Sequence, residues 1–457
     1  MQYTDVKFLG IKAYSDHPEV YKVADILVEA YFNKMSRIKN RALMVRNSRK
    51  LVASLLLHDD DVFRFTTKTS YFSTKTRKQV WMTNGILNLF HTAVKLGWVV
   101  VDKEAIPPYA SKKSNGGMAT IYSRSLMFNN LVVSIDINDV IHDPDMFRVE
   151  LKGEDEVMVE LSPPILNHPN NQRTIKALND HYKLLLDSDV RYADGRLVDK
   201  VSLFFIRKYK GGFDSGGRIY ADIQNKSKAE RLGLTIRGDS AGSLDISQLH
   251  PMLILRLVHG VDKERSGLLI PGLHDAYSMP DYEDLSRAVH KTLINTLFNA
   301  PSEKSAVYAL MSTHWWHDEI SGELKVATYD GNTKRKGQRV FLTSPKKSSI
   351  NYIESFKRHH PMYVEAIGRG LGVTLQAIDG TLIERIIEVA NEAKVPLIPV
   401  HDEFIVREKD RVFIQVVLER VFRDWIGEKG QFGTIGAKWT SADGVEESVL
   451  IDLSIQS

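Results

Sequence analysis

Apolar residues recur at helical spacing in RKQVWMTNGILNLFHTAVKLGWVVVD, where Ile86, Leu87, Phe90 and Val94 lie on one face and the run stops at Gly97. A β-branched WVVVD follows, then the polar, Lys/Gly-rich KKSNGGMAT, then a second strand-like segment, IYSRSLMF. Helix, strand, basic hairpin and strand over about 76–130 is the layout of a winged helix, whose wing and helix commonly grip nucleic acid, so 1–135 is expected as a nucleic-acid-binding region; a plain helical subdomain with a hairpin fits the same pattern. The rest of 1–135 reads as helical. Residues 136–199 are mixed, with a helical NQRTIKALNDHYKLLLDSD. From about 200 the texture turns β-rich and glycine-punctuated in VSLFFIRKYKGGFDSGGRIYADIQ. No internal repeat is present, and the basic TYDGNTKRKGQRVFLTSPKKSS reads as a loop or hairpin insertion.

Two later patterns carry carboxylates. SLDIS is β-compatible and Pro251 suits the first turn of a helix over MLILRLVHG, so Asp245 falls where strand gives way to helix. VPLIPVHDEFIVRE reads as two strands with His401, Asp402 and Glu403 at the turn between them. Between the two, RAVHKTLINTLFN sets Arg287, Lys291, Asn295 and Asn299 on one helical stripe. Leu285, Val289, Leu293 and Leu297 form an apolar stripe roughly opposite. One face packs; the other presents two cations.

Composition narrows the class. The 457 residues suffice for about three domains, and 43% hydrophobic with 26% charged content is that of a globular protein. The absence of cysteine excludes disulfides and thiolate metal sites and suits a reducing, cytoplasmic setting. The N-terminus lacks a signal-peptide layout, and no apolar run approaches the ~20 residues of a membrane span. Net charge is only +4, but Lys34, Arg37, Lys39, Arg41, Arg46, Arg49, Lys50, Arg64, Lys68, Lys75, Arg77 and Lys78 crowd one stretch with few acids except the cluster at 59–61. With Tyr71 and Phe72 interleaved, that stretch fits phosphate-backbone contacts; a solvated helix face is the plainer reading.

If the two carboxylate-bearing strands are sheet neighbours, Asp245 and Asp402 face each other. Like charges so close are unfavourable unless something positive lies between them. Two Mg²⁺ ions, for which Mn²⁺ could substitute, would serve, because Mg²⁺ takes a few carboxylates plus substrate phosphates and water. A metal pair stabilises both the attacking and the leaving oxygen of a phosphoryl displacement. A His–Asp phosphohydrolase would need the dyad on helices, which Pro396, Pro399 and β-branched Val400, Ile405 and Val406 oppose. His314 and His317 in THWWHDE hint at a metal site, but the paired tryptophans argue for packing and no further ligands stand at zinc spacing.

Taken in order, these segments resemble a known family. DISQLHP resembles motif A of family A DNA polymerases, with an echo of family B in its L-H-P. VHDEFIV resembles family A motif C, to which the H-D-S of phage-type single-subunit RNA polymerases is similar. DSGGRIY, with Asp214, Gly217 and Arg218, is similar to the D-x-x-G-R element shared by those two families. RAVHKTLINTLFN resembles motif B, and LQAIDGTLIERII, with Gln376, resembles the glutamine-bearing helix before motif C. DAY, Asp275 to Tyr277, is similar to a short nucleotide-seating element. The resemblance covers residues 207–408.

The resemblance implies an α/β (α+β) right-hand polymerase: a connector or thumb-like 136–199, a palm with an antiparallel sheet over 200–260 and 371–457, and helical fingers over 261–370. It implies template-directed nucleotidyl transfer, favoured as a DNA polymerase without a proofreading exonuclease. A single-subunit RNA polymerase or primase is the alternative, and a catalytically inactive nucleic-acid-binding replication protein is a remote one. Asp245 and Asp402 would hold two Mg²⁺, Arg287 and Lys291 the triphosphate, and Lys291 would protonate the leaving group. Glu403 and His401 would support the hairpin and primer end. Arg218, Asp214, Gly217 and Gln376 would meet the template–product duplex. His250 sits where a bulky side chain excludes a ribose 2′-hydroxyl. Asn299 replaces the usual aromatic at the end of motif B, so base and sugar selection would differ. The implied partners are template, primer or nascent strand, and nucleoside triphosphates, with no membrane.

Overall fold

The computed structural model describes residue 9 and residues 13–33, 41–57, 62–65, 83–103, 120–135, 140–142, 148–153, 157–159, 161–259, 275–317, 324–328, 337–426 and 434–452. They form an α+β protein with two compact units, 1–206 with 221–226, and 207–220 with 227–457. No helix among them is long and apolar enough to cross a membrane.

In the first unit, β1 (Ala13–Tyr14) precedes α1 (Pro18–Phe32) and α2 (Arg41–Leu57). Then come β2 (Val62–Arg64), α3 (Asn84–Lys95), β3 (Val99–Lys103) and β4 (Ile121–Arg124). Thr83 caps α3 through its hydroxyl, and the inward positions Ile86, Leu87, Leu89, Phe90 and Ala93 are buried. They meet α1, α2 and an aromatic cluster in which Phe65 stacks on Phe90 at 3.9 Å and Tyr122 meets Phe90 edge-on. Each such buried side chain contributes about 1.5–3 kcal/mol, so this apolar face holds α3 in place. The antiparallel sheet runs in the order β2-β4-β3.

One expectation changes here, and another lies largely outside the described residues. SLMF does not continue the strand: Ser125 caps a short helix, α4 (Leu126–Leu131), by accepting from the Phe128 amide. The Lys/Gly-rich 112–119, Tyr71, Phe72 and most cations between 34 and 78 lie outside the described residues; Arg41, Arg46, Arg49 and Lys50 stand on α2 and Arg64 on β2.

The unit continues with β5 (Ile141–His142), which pairs with β1, and β6 (Val149–Lys152). After α5 (Pro163–Leu166) and α6 (Pro169–Leu186) it ends near β7 (Val190–Arg191). Arg148 is buried between the Tyr182 and Phe204 rings, and its guanidinium donates to Asn179 and to the Phe205 carbonyl.

The second unit opens with the hairpin β8 (Ile206–Lys210) and β9 (Gly212–Tyr220), then α7 (Lys228–Leu232), β10 (Thr235–Ile236), β11 (Asp239–Ile246) and α8 (Leu249–His259). VSLFF before the hairpin is turn, not strand. Next come α9 (Arg287–Asn299), α10 (Glu303–Met311), β12 (Thr313–His317), β13 (Leu324–Thr328), β14 (Gln338–Arg339) and α11 (Pro345–His359). The chain closes with α12 (Gly372–Glu392), β15 (Leu397–Val400), β16 (Glu403–Arg407), α13 (Arg411–Ile426), β17 (Thr434–Thr440) and β18 (Glu446–Asp452).

β11 is central: it pairs antiparallel with β16 on one side and β17 on the other, with β15 beyond β16 and β18 beyond β17. Gly242 on β11 admits the Trp439 ring, since a Cβ there would come within 2.3 Å of it. The span 261–370, expected to be helical, also holds among its described residues a three-stranded sheet in which β12 pairs with β13 and β14. The basic segment expected as a loop over 328–349 is part helix, because Pro345 suits a first helical turn and α11 begins there; residues 329–336 lie outside the described residues. His314 and His317 stand three apart on a strand and so face opposite ways; His314 is buried against the Ser312 carbonyl and His317 meets Trp315 edge-on.

α12 lies directly on β9. Gly380 has no room for a side chain, because a Cβ would sit 1.9 Å from the Gly217 carbonyl oxygen. Gly217 itself has φ +78° and would drive a Cβ into the Tyr209 ring. Beside this contact, Arg207 donates to Glu384 at 2.7 Å, to Thr381 and to the Gly217 and Ala377 carbonyls. That buried pair is fully hydrogen-bonded, the condition under which burying charge is tolerated.

Candidate active site

Strand pairing brings the two distant aspartates together. Asp245, at the end of β11, is in register with Glu403, the first residue of β16. Asp402 precedes Glu403 in the turn, and its carbonyl accepts from the Ile246 amide at 2.9 Å. The turn between β15 and β16 has two residues, His401 and Asp402, and His401 takes φ +58°. That left-handed conformation costs a non-glycine residue about 1–2 kcal/mol, and the flanking ladders hold it.

The three acids differ in their surroundings. Glu403 is neutralised: Arg231 donates to its Oε2 at 2.9 Å, and the Ser243 hydroxyl donates to its Oε1. The Asp245 and Asp402 carboxylates have no hydrogen-bond or ion-pair partner among the described residues. Partial burial pushes the Asp245 carboxyl up to about 6, aided by repulsion from Asp402 and Glu403 and opposed by Lys291 and Lys228. Asp245 still reaches solvent, so water screens part of that effect; the direction rests on three carboxylates at one sheet end. Glu403, read from sequence at the turn with a catalytic role, is a strand residue occupied by Arg231, which fits positioning of the hairpin.

α9 supplies the cationic side. Ser286 caps it, and Val289, His290, Leu293, Ile294, Leu297 and Phe298 are buried, a wider packed face than the leucine stripe predicted. Leu285 precedes the helix and is half-buried. Lys291 is exposed and acts electrostatically on Asp245. Arg287 makes a two-point pair with Asp275, at 2.9 and 3.2 Å, and lies 5.2 Å over the Tyr277 ring. Burial raises the Tyr277 hydroxyl well above its usual range; Asp402 adds to this and a hydrogen bond with Asn295 opposes it. Tyr277 therefore links Arg287, Asn295 and Asp402. Asn299, three turns along α9 from Arg287, stands instead against the start of α12, with its Oδ1 2.2 Å from where a Cβ on Gly372 would be.

A second cluster adjoins the hairpin. Arg218 donates to Asp379 at 2.8 Å and shares a 2.9 Å hydrogen bond with His250 Nε2. Asp379 is buried on α12, with one carboxylate oxygen bonded to Arg218 and the other, Oδ1, unbonded. Burial lowers the His401 imidazole, as does Arg218, against the pull of Asp379 and Asp402. The His401 ring meets Tyr220 edge-on at 5.5 Å, and its Nδ1 is buried without a partner. Arg218 and His250, predicted from sequence as separate contacts, thus form one bonded group with Asp379. Gly217 is a packing glycine, Gln376 is half-buried one turn before Gly380, and Asp214 is exposed on β9. Asp379, Arg231 and Ser243 were missed from sequence; the one available signal was Asp379 as the single charged residue in the first half of α12, Gly372 to Leu382.

Among the described residues no three His, Asp or Glu side chains form a closed metal cage. Two uncommitted carboxylates at a sheet end, with a compensated third, fit an ion that draws its other ligands from substrate and water. Compared with known proteins, the chain matches no family model and no curated protein sequence.

Proposed function

We propose that the second unit carries out template-directed nucleotidyl transfer, as a right-hand polymerase whose palm is the β11-centred sheet and whose fingers span 275–370. The observation that supports this reading above others is the register pairing of Asp245 with the residue next to Asp402, which brings two carboxylates without hydrogen-bond partners to one sheet end, within electrostatic reach of Lys291. Two Mg²⁺ ions held by Asp245 and Asp402 would supply charge neutralisation for a 3′-hydroxyl attacking the α-phosphorus. A new oxygen–phosphorus bond forms, the 3′-hydroxyl proton passes to solvent, the α–β bridging bond breaks, and pyrophosphate leaves. Lys291 donates a proton to that leaving group. Arg287, held by Asp275, and Asn295, held by Tyr277, orient the triphosphate. Arg218 and His250, braced by Asp379, line the sugar and duplex side, where a bulky imidazole favours deoxynucleotides.

Purified protein with Mg²⁺, primed and unprimed templates, and labelled dNTPs or NTPs supplied separately tests this. Incorporation of dNTPs on the primed template is the expected result, and extension of unprimed template with NTPs would identify an RNA-synthesising enzyme instead. Asp402→Asn should lower incorporation by about 10³-fold, the equivalent of several kcal/mol of lost metal assistance, with template binding retained. Incorporation by neither substrate class, from protein that binds template, overturns the proposal.

A further inference from the structure

The first unit carries a face that the proposed chemistry does not use. The outer positions of α3, Asn84, Asn88, His91 and Lys95, are exposed. They fall within an arc of about 60° on a helix some 18 Å long. Opposite them the helix is fixed by its buried residues, so the stripe is presented rigidly. The helix contains no Asp or Glu, and in sequence the 62–125 stretch that includes it has ten Lys/Arg against two Asp/Glu, preceded by Asp59, Asp60 and Asp61, while the whole chain is only +4. The sheet that follows has the order β2-β4-β3, with α3 feeding directly into the β3–β4 hairpin.

We propose that α3 is a reading helix for double-stranded DNA, laid in the major groove. The groove of B-form DNA, about 12 Å wide, admits one α-helix. Asparagines near the helix N-terminus carry the paired donor and acceptor that match an adenine edge. Lys95, in the last turn, supplies a cation for the backbone. His91, exposed but held below its usual range by partial desolvation and by Lys95, offers a donor and an acceptor between them. Duplex RNA is disfavoured because its major groove is too deep and narrow for side chains to read. Single strands are disfavoured because the exposed stripe offers none of the large aromatic rings on which bases stack. The inference rests on the first unit alone and stands whether or not the second unit polymerises nucleotides.

The test uses the full-length protein and fluorescence anisotropy with labelled duplex DNA, duplex RNA and single strands across a salt series, together with selection from a randomised duplex pool. Wild type should prefer duplex DNA and enrich a sequence. Asn84→Ala and Asn88→Ala should each weaken the enriched site by about tenfold or more and relax its sequence. Lys95→Ala should weaken all duplexes alike and reduce the salt slope by about 1. These positions are exposed, and circular dichroism should confirm that the variants keep the wild-type fold. Lys176→Ala, on α6, should bind as wild type. Equal affinity for duplex DNA and single strands, unchanged binding in all three α3 variants, or an equal loss in Lys176→Ala overturns the assignment.

Discussion

At the scale of single residues, the site is defined by which acids are compensated and which are not. Glu403 has Arg231 and Ser243; Asp245 and Asp402 have each other. A carboxyl raised by folding binds more protons folded than unfolded between its ordinary value near 4 and about 6. Stability therefore falls as pH rises through that window, and the penalty is complete above it. Asp245→Asn, which removes the charge but not the shape, should raise the melting temperature of metal-free protein at pH 7.5 and have little effect near pH 4. Thermal melts in chelator at the two pH values check this; an equal shift at both removes electrostatic repulsion as its cause. His401 at φ +58° is a second residue-scale feature. Such backbone strain gathers at functional sites, and here it turns the chain so that Asp402 follows at the tip of the hairpin.

At the scale of elements, the decisive contact is α12 against β9. The helix carries Asp379 and Gln376, and its approach depends on two glycines and on Arg207 bonded to Glu384. Gly380→Ala would set a methyl group 1.9 Å from a backbone oxygen that cannot rotate away. Helix and hairpin must then separate, and overpacking of this kind costs about 1–3 kcal/mol. Chemical denaturation should show that loss, and under the proposed function incorporation should drop with it because Arg218 and His250 are anchored through α12. Wild-type stability in Gly380→Ala would mean the contact is looser than described. In α9 packing likewise sets which side chains face out: its buried face is fixed by its own leucines and phenylalanine, which leaves Lys291 on the outward side.

At the scale of the whole molecule, charge and chemistry are separated along the chain. The basic excess lies in 62–125, whereas the uncompensated aspartates lie in the other compact unit. Ligands should therefore register in different places. Hydrogen exchange is expected to slow on Mg²⁺ addition around 243–247 and 399–404, with α1 to α3 unchanged, and to slow in α3 on addition of duplex DNA. Protection by Mg²⁺ confined to the first unit contradicts the carboxylate site.

Much of this was legible from the residue pattern. The periods of α3 and α9, the strand–turn–strand around His401 and Asp402, and the strand-to-helix change after Asp245 all follow from local side-chain preference, which acts over a few residues. Local preference also misled, at SLMF and at Pro345–Ser349, where a cap and a proline began helices. What no local rule contains is which strands become neighbours. The register that sets Asp245 beside Asp402, the pairing of Arg231 with Glu403, and the burial of Asp379 against Arg218 join residues more than 150 positions apart. Such contacts are selected by packing the whole core, where one residue of slip would turn every inward side chain outward, and they exist only once the chain has folded.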